Sequence, residues 1–187
     1  MDIYHENEIA EIIPGYLIIE KISVSNLHII YHATKKVDND EVAIKTLVAP
    51  YPRREDIANI KREYQILQKL QFDGIIRVHS FVPFGPGNWG IVMEKFGITL
   101  LQFLASCDNN HISPKQFFSI AIPLVKILGS LHEKSIIHKD INPANILIEP
   151  TGGALRLIDF STSTELSRER QDISLTRRIE GSLPYMS

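Results

Sequence analysis

The sequence has one cysteine and no excess of charge of either sign. A single Cys107 cannot form an internal disulfide bond or build a cysteine-based zinc site, so we expect a protein of a reducing, cytoplasmic compartment. Twenty basic and 22 acidic side chains give a formal net charge of -2, which excludes the strongly basic surface of proteins that bind nucleic acid or acidic lipid. Composition therefore predicts neither nucleic acid nor membrane as a partner.

An export signal and a long apolar run are also missing. The first six residues are acidic and lack the basic and apolar regions of a secretory signal. The most apolar stretch, 117–131, is interrupted by Pro123 and Lys126 and is shorter than the ~20 residues needed to span a bilayer. The 44% of hydrophobic residues is nevertheless enough for a folded core.

The first half of the chain is predicted to form a sheet with one helix. Runs of β-branched and aliphatic residues at 17–19, 29–31 and 42–44 predict three strands, and an Asp- and Asn-containing turn predicts that the second and third pair antiparallel. Residues 55–70 carry apolar side chains at helical spacing, and 75–82 and 89–94 resemble two further strands. The prediction is five strands and one helix.

The second half is predicted to be mainly helical. One helix is expected around 100–104, and another from a Ser113 N-cap, with Pro114 at its first position, to about His132. Pro123 removes a backbone hydrogen bond inside that helix, so a kink or a local irregularity is expected there.

Two short segments carry the residues that suggest chemistry. Residues 138–147 read His-Lys-Asp-Ile-Asn-Pro-Ala-Asn-Ile-Leu, and a strand-like run at 155–158 leads into Asp-Phe-Ser at 159–161. Phosphoryl transfer needs a carboxylate to orient the attacking hydroxyl, and it needs oxygen ligands for magnesium. Asp140, Asn145 and Asp159 supply these groups.

These segments resemble the motifs of protein kinases. The run that starts at His138 resembles their catalytic loop, 159–161 resembles their Asp-Phe-Gly, and the Val-Ala-Ile-Lys that ends at Lys45 matches their third-strand motif. The resemblance implies that Lys45 contacts the α- and β-phosphates of ATP, that Asp140 orients the acceptor hydroxyl, and that Asn145 and Asp159 hold Mg²⁺.

Glu63 is the expected ion-pair partner of Lys45. It lies three residues after Ile60 and four before Leu67, on the inward apolar face of the predicted helix. A carboxylate on that face is costly to bury alone, and a lysine on a strand facing the helix would offset the cost.

The resemblance also implies an α+β fold with two lobes. It assigns a small lobe at about 15–94, a hinge at about 94–97 and part of a helical lobe at about 98–187. Ala43 and Leu147 would form the apolar faces of the adenine slot, and Met93 would be the gatekeeper. The complete set that the resemblance assigns to nucleotide binding, besides the phosphate and metal residues, is Ile22, Ile30, Ala43, Met93, Glu94, Phe96 and Leu147.

The end of the sequence, 181–187, resembles the last part of a kinase activation loop. The later helices of the large lobe are therefore expected beyond Ser187. We expect the apolar underside of that lobe to be exposed, and either the missing part of the lobe or a partner protein to cover it. The residues of the catalytic-loop-like segment and of 181–187 resemble those of kinase domains that lie at the N-terminal end of very large bacterial signalling proteins.

The sequence departs from the kinase pattern at several positions. Ser23, Ser25 and His28 stand where the family has the three glycines of its phosphate-covering loop, so weaker or differently arranged nucleotide binding is expected. Asn142 stands where Ser/Thr kinases usually have a lysine that reaches the γ-phosphate. In addition, Lys139 replaces an arginine, and the glycine of Asp-Phe-Gly is replaced by Ser161.

Three functions remain open from the sequence. The first is transfer of the ATP γ-phosphoryl group to Ser or Thr of a protein substrate, which the retained site residues favour. The second is a pseudokinase-like module that binds a nucleotide or a protein, which the absent glycines favour. The third is a fragment without independent activity.

Overall fold

A computed structural model describes residues 13–107, 111–150 and 153–166 of the chain. The backbone divides into two compact units. Among the described residues, the first unit comprises 13–69 together with Arg77–Lys95, and the second comprises Leu70–Ile76 together with those from Phe96 to Leu166. The segment 181–187, which carries part of the family resemblance, lies outside the described residues.

The first unit contains a five-stranded antiparallel sheet in the order β1-β2-β3-β5-β4. The predicted antiparallel pairing of the second and third strands is confirmed, and Asn39 in their turn has a φ of 60°. The fourth strand begins at Val78 rather than at residue 75, because Ile75 belongs to the second unit and forms an isolated parallel bridge with Leu157 there. The strands are β1 Tyr16–Val24, β2 His28–Lys35, β3 Glu41–Leu47, β4 Val78–Phe84 and β5 Asn88–Glu94.

The two faces of this sheet carry different side chains, because successive residues of a strand point to opposite faces. One face holds an apolar core made of Ile13, Ile18, Tyr31, Ala33, Val42, Ile44 and Val92. The alternate residues of β3, Ala43 and Lys45, therefore belong to the other face. Directly opposite them on neighbouring strands are Met93 and Ile30.

Within the described residues the first unit has one helix, α1, which spans Arg54–Lys69 and packs against β4 and β5. Just before it, the Arg53 guanidinium donates two hydrogen bonds of 2.9 Å to Asp56, and these bonds hold the pKa of that carboxyl below its usual value. Further along, the Tyr64 ring stacks on Phe81, which in turn stacks on Trp89, with ring centroids 5.2 and 4.8 Å apart. These contacts fix the helix against the sheet.

In the part of the second unit that the structure describes, there are two helices and several short strands. α2 spans Leu100–Ser106 and α3 spans Pro114–Glu133. Three strands pair in the order β6-β8-β9, and β7 pairs antiparallel with β10. A 3₁₀ turn at Pro143–Asn145 leads directly into β8. The strands are β6 Ile98–Thr99, β7 Ile136–Ile137, β8 Ile146–Ile148, β9 Leu155–Leu157 and β10 Thr164–Glu165.

α3 begins where the sequence predicts. The Ser113 hydroxyl accepts a hydrogen bond from the Gln116 amide, and the Gln116 side chain accepts one from the Ser113 backbone, which completes a capping box. The helix continues through Pro123 to Glu133.

One side of α3 is both apolar and exposed. Its large side chains there are each more than half exposed: Phe117, Phe118, Ile122 and Val125. The expectation that further protein covers this side stays a prediction. No helix within the described residues has the length and apolarity needed to cross a membrane.

Gly97 is required where the chain enters β6. Its φ is +36°, and a Cβ added at this position would clash with the carbonyl oxygen of Ile148. Ile148 is the residue that pairs with Ile98 in the β6-β8 ladder, so the clash falls on the sheet itself.

We expect Gly97→Ala to lower the free energy of unfolding by about 1–3 kcal/mol, the usual range for overpacking. The control is Gly129→Ala on α3, where an added Cβ meets nothing within 4 Å and alanine favours the helix by up to ~1 kcal/mol. Urea denaturation of both variants measures the difference. If Gly97→Ala were as stable as Gly129→Ala, glycine would not be required at position 97.

Candidate active site

Lys45 and Glu63 form a buried ion pair inside the first unit. The Lys45 Nζ lies 2.8 Å from Glu63 Oε1 and 2.9 Å from Oε2. The two residues are 4% and 2% exposed. β3 supplies the lysine and α1 the glutamate, and the pair expected from the sequence is present. Since both groups are buried, the attraction between the two charges offsets part of the cost of removing each from water.

Several predicted nucleotide-binding residues share the sheet face of Lys45. Ile30 is directly opposite Lys45 on β2, and Met93 is directly opposite Ala43 on β5. Ile22 lies at the register shift of β1 between Lys21 and Ser23 and is exposed. The structure therefore groups three of the predicted apolar residues around the lysine.

Glu94 and Phe96 lie at and just after the end of β5. The Glu94 carboxylate accepts a hydrogen bond of 2.9 Å from the Arg77 backbone amide, and the Glu94 amide donates to the Arg77 carbonyl. In the second unit the Arg156 guanidinium lies over the Phe96 ring, 4.7 Å from its centroid. Arg156 is also the β9 partner of Leu147, the last of the predicted adenine contacts.

The carboxylate of Asp140 is held by two side-chain amides. Asn145 Nδ2 donates to Asp140 Oδ2 at 2.8 Å and to the Asp140 backbone carbonyl at 3.0 Å. Asn142 Nδ2 donates to Asp140 Oδ1 at 3.1 Å. Each carboxylate oxygen thus has its own amide donor, and both donors come from within five residues of the aspartate.

The His138 side chain bonds to the backbone of Asp140 and to that of Ile158. It is buried, its Nδ1 accepts a hydrogen bond from the Asp140 amide at 3.3 Å, and its Nε2 lies 2.9 Å from the Ile158 carbonyl. A ring nitrogen that accepts cannot also donate, so these contacts require the proton on Nε2. The ring also meets Phe160 edge to face, with centroids 4.7 Å apart.

Asp159 follows β9 and lies beside the loop of Asp140. The Ile158 amide donates to the Asn145 carbonyl at 3.0 Å, which joins the segment of Asp159 to that of Asn145. Asp159 has a left-handed backbone with a φ of 61°, and its Oδ1 accepts from the Ser161 amide at 3.3 Å. The structure thus brings Asp140, Asn145 and Asp159 together on adjoining segments of the second unit.

Most of the chain, including all of these residues, matches a known protein family. The sequence model described as "Protein kinase domain" matches residues 18–187. This chain belongs to the protein kinase domain family. Its catalytic-loop, Asp-Phe-Gly-like and third-strand segments all fall inside the matched range.

Named Ser/Thr kinases are among the relatives of this kinase domain. The serine/threonine-protein kinase PrkC of Bacillus subtilis is 31% identical over 176 residues, which cover 92% of this chain and 26% of PrkC. The serine/threonine-protein kinase TIO of Arabidopsis thaliana is 30% identical over 176 residues, which cover 94% of this chain and 13% of TIO. The chain therefore spans about a quarter or less of the length of these two relatives.

A solved kinase domain has the same fold. Its crystal structure superimposes with a TM-score of 0.77 and 19% sequence identity, over 87% of this chain and 55% of the other. This likeness confirms the predicted kinase fold, including the five-stranded sheet.

The loop between β1 and β2 closes without glycine. The Ser25 hydroxyl accepts a hydrogen bond from the His28 amide at 3.0 Å, and the Ser25 amide donates to the His28 carbonyl at 2.9 Å. None of Ser23, Ser25 and His28 has a left-handed backbone. The turn therefore adopts a conformation open to ordinary residues and is held by its own serine.

Asn142 has a part in the site that the sequence analysis missed. The comparison with kinases shows only that a lysine is absent there, whereas the structure shows a buried donor to Asp140. A signal was available, because an asparagine directly before a proline is a typical start of a helical turn. The position of Asn142 was predictable on that basis, but its contact with Asp140 was not.

We expect Glu63→Gln to lower the free energy of unfolding by about 3–5 kcal/mol, because it removes one charge of a buried ion pair and leaves the cost of burying the Lys45 charge less well offset. Replacing both partners by apolar residues, as in Lys45→Met with Glu63→Leu, should recover most of that loss. Urea denaturation of the single and double variants measures both effects. A Glu63→Gln variant as stable as the natural chain would show that the pair is hydrated.

Proposed function

We propose that this kinase domain binds ATP with magnesium and transfers the γ-phosphoryl group to a Ser or Thr hydroxyl of a protein substrate. The observation that carries the proposal is the Asp140 carboxylate, held by Asn142 and Asn145 beside the segment of Asp159. Membership of the protein kinase family and the relatives named as Ser/Thr kinases support it. A cytoplasmic location is also proposed, on the single cysteine alone.

Lys45 is proposed to bind the α- and β-phosphates. A lysine that donates to both oxygens of Glu63 is held at one place in space, so its charge is available to phosphate without reorganisation. Ile30, Ala43 and Met93 on the same sheet face offer an apolar surface suited to a nucleobase. Ile22, Glu94, Phe96 and Leu147 complete the proposed nucleotide contacts.

Asn145 and Asp159 are proposed to hold magnesium, which when bound would neutralise charge on the phosphates. Their donor set fits that ion, since amide and carboxylate oxygens are hard ligands. Among the described residues no group of three or more His, Cys, Asp or Glu side chains could hold a metal on its own. That also fits magnesium, which proteins usually bind through one or two carboxylates and the phosphates of the substrate.

Asp140 is proposed to orient the acceptor hydroxyl and to accept its proton. We expect Asp140→Ala to reduce the transfer rate by roughly 10²–10⁴-fold, the usual contribution of a positioned base. The measurement uses γ-labelled ATP and three peptide sets whose only acceptor is Ser, Thr or Tyr. Transfer to the Ser and Thr sets that Asp140→Ala does not reduce would overturn the assignment, and transfer to the Tyr set alone would overturn the Ser/Thr specificity.

Asp159→Asn tests the proposed metal site. The substitution keeps the size of the side chain but removes its charge, so we expect the Mg²⁺ concentration for half-maximal transfer to rise by roughly tenfold or more. The matched control is Asp73→Asn, at a residue without a proposed role. An unchanged magnesium requirement in Asp159→Asn would place the metal elsewhere.

The glycine-free loop favours a second candidate, a pseudokinase-like module that binds a nucleotide or a protein without catalysis. A loop that closes on Ser25 has lost the glycines that allow close approach of backbone to phosphate. This candidate predicts that ATP binds in a calorimetric titration while no labelled phosphate reaches any of the three peptide sets. Transfer that depends on Asp140 would exclude it.

A further inference from the structure

Asn142 is a buried side chain whose two polar atoms have different partners. It is 7% exposed and directly precedes the 3₁₀ turn Pro143–Asn145. Its Oδ1 accepts a hydrogen bond of 2.9 Å from the Ala144 amide, which caps the turn. Its Nδ2 donates to Asp140 Oδ1 at 3.1 Å.

The capping contact with the Ala144 amide does not by itself require an asparagine. Serine, threonine and aspartate also supply an oxygen that accepts from the backbone at the start of a helical turn. Of these residues only asparagine adds an N–H donor at the end of the same side chain. The donor is the part of Asn142 that reaches Asp140, so the contact with the carboxylate needs the amide, whereas the cap does not.

The two amides together fix the orientation of the Asp140 carboxylate. Asn145 holds Oδ2 and Asn142 holds Oδ1, so rotation of the carboxylate about its Cβ–Cγ bond would break a bond at one end or the other. The two donors lie at opposite ends of the same 3₁₀ turn: Asn142 caps its start and Asn145 is its last residue. Removing either donor removes one of these two constraints on the carboxylate.

We propose that Asn142 is a positioning residue that aims the Asp140 carboxylate at the acceptor hydroxyl. This inference rests on the proposed function of Asp140. Ser/Thr kinases usually have a lysine at this position, and its charge reaches the γ-phosphate. Asn142 has no charge to offer there and orients the base instead.

The test uses the full chain and separates the two contacts of Asn142. Asn142→Ser keeps an acceptor for the Ala144 amide but loses the Nδ2 amide that reaches Asp140, because the shorter serine side chain ends at its single hydroxyl oxygen, whereas Asn142→Ala loses both. We expect kcat to fall roughly 10- to 100-fold in both variants, because misorienting a catalytic group costs factors of that size. KM for ATP should stay within about twofold of the natural chain in both, and the midpoint of thermal unfolding should fall clearly only in Asn142→Ala.

The outcomes distinguish this inference from the proposed function. If Asp140→Ala abolishes transfer while Asn142→Ser keeps the kcat of the natural chain, Asn142 is a cap only and the inference is wrong. If Asp140→Ala leaves transfer unchanged, the proposed function itself fails.

A readout that does not depend on activity covers the case of a chain that transfers no phosphate. The side-chain amide signals of Asn142, assigned by ¹⁵N NMR, should move on Asp140→Ala if Nδ2 donates to that carboxylate. Signals that stay in place overturn the contact, and with it the inference.

Discussion

Burial of polar groups is the constraint on which the rest of this structure depends. A charge or an amide removed from water has to find a partner inside the protein, or it destabilises the fold by several kcal/mol. In the first unit that constraint joins Lys45 to Glu63 and so ties β3 to α1. In the second unit it joins the amides of Asn142 and Asn145 to Asp140. The groups proposed to carry the chemistry are thus the same groups that fix the local structure.

Two residues in and near the Asp140 loop have a strained backbone. Lys139 and Asp159 have left-handed φ angles of 68° and 61°, and such residues typically cost about 1–3 kcal/mol each. His138 is bonded to both segments, through the Asp140 amide on one side and the Ile158 carbonyl on the other. Thr162 adds a third bond by donating to the His138 carbonyl at 3.1 Å. This network of hydrogen bonds holds two unfavourable backbone conformations, one at Lys139 next to Asp140 and one at Asp159 itself.

Much of the fold was predictable from local pattern, and the errors have a common cause. Strand and helix positions follow from the alternation of apolar residues and from caps such as Ser113, which act over a few residues. Residues 75–77 were wrongly joined to the fourth strand because the apolar character of Ile75 and Ile76 reflects burial, in the case of Ile75 beside its bridge partner Leu157. That partner lies 82 residues away in the sequence, beyond the reach of any local pattern.

The sequence by itself determined the family, the order of the strands and the helix described in the first unit, and the pairing of Lys45 with Glu63. These depend on motif spacing and on the inward face of one helix, both of which can be counted along the chain. Only the tertiary structure decided which atom each polar side chain contacts: Asn142 on Asp140, His138 on Ile158, Ser25 within its own loop. The physical reason is that a hydrogen bond depends on distance and direction to within a few tenths of an ångström. Residue types specify which bonds a side chain can form, and the folded backbone selects the one that forms.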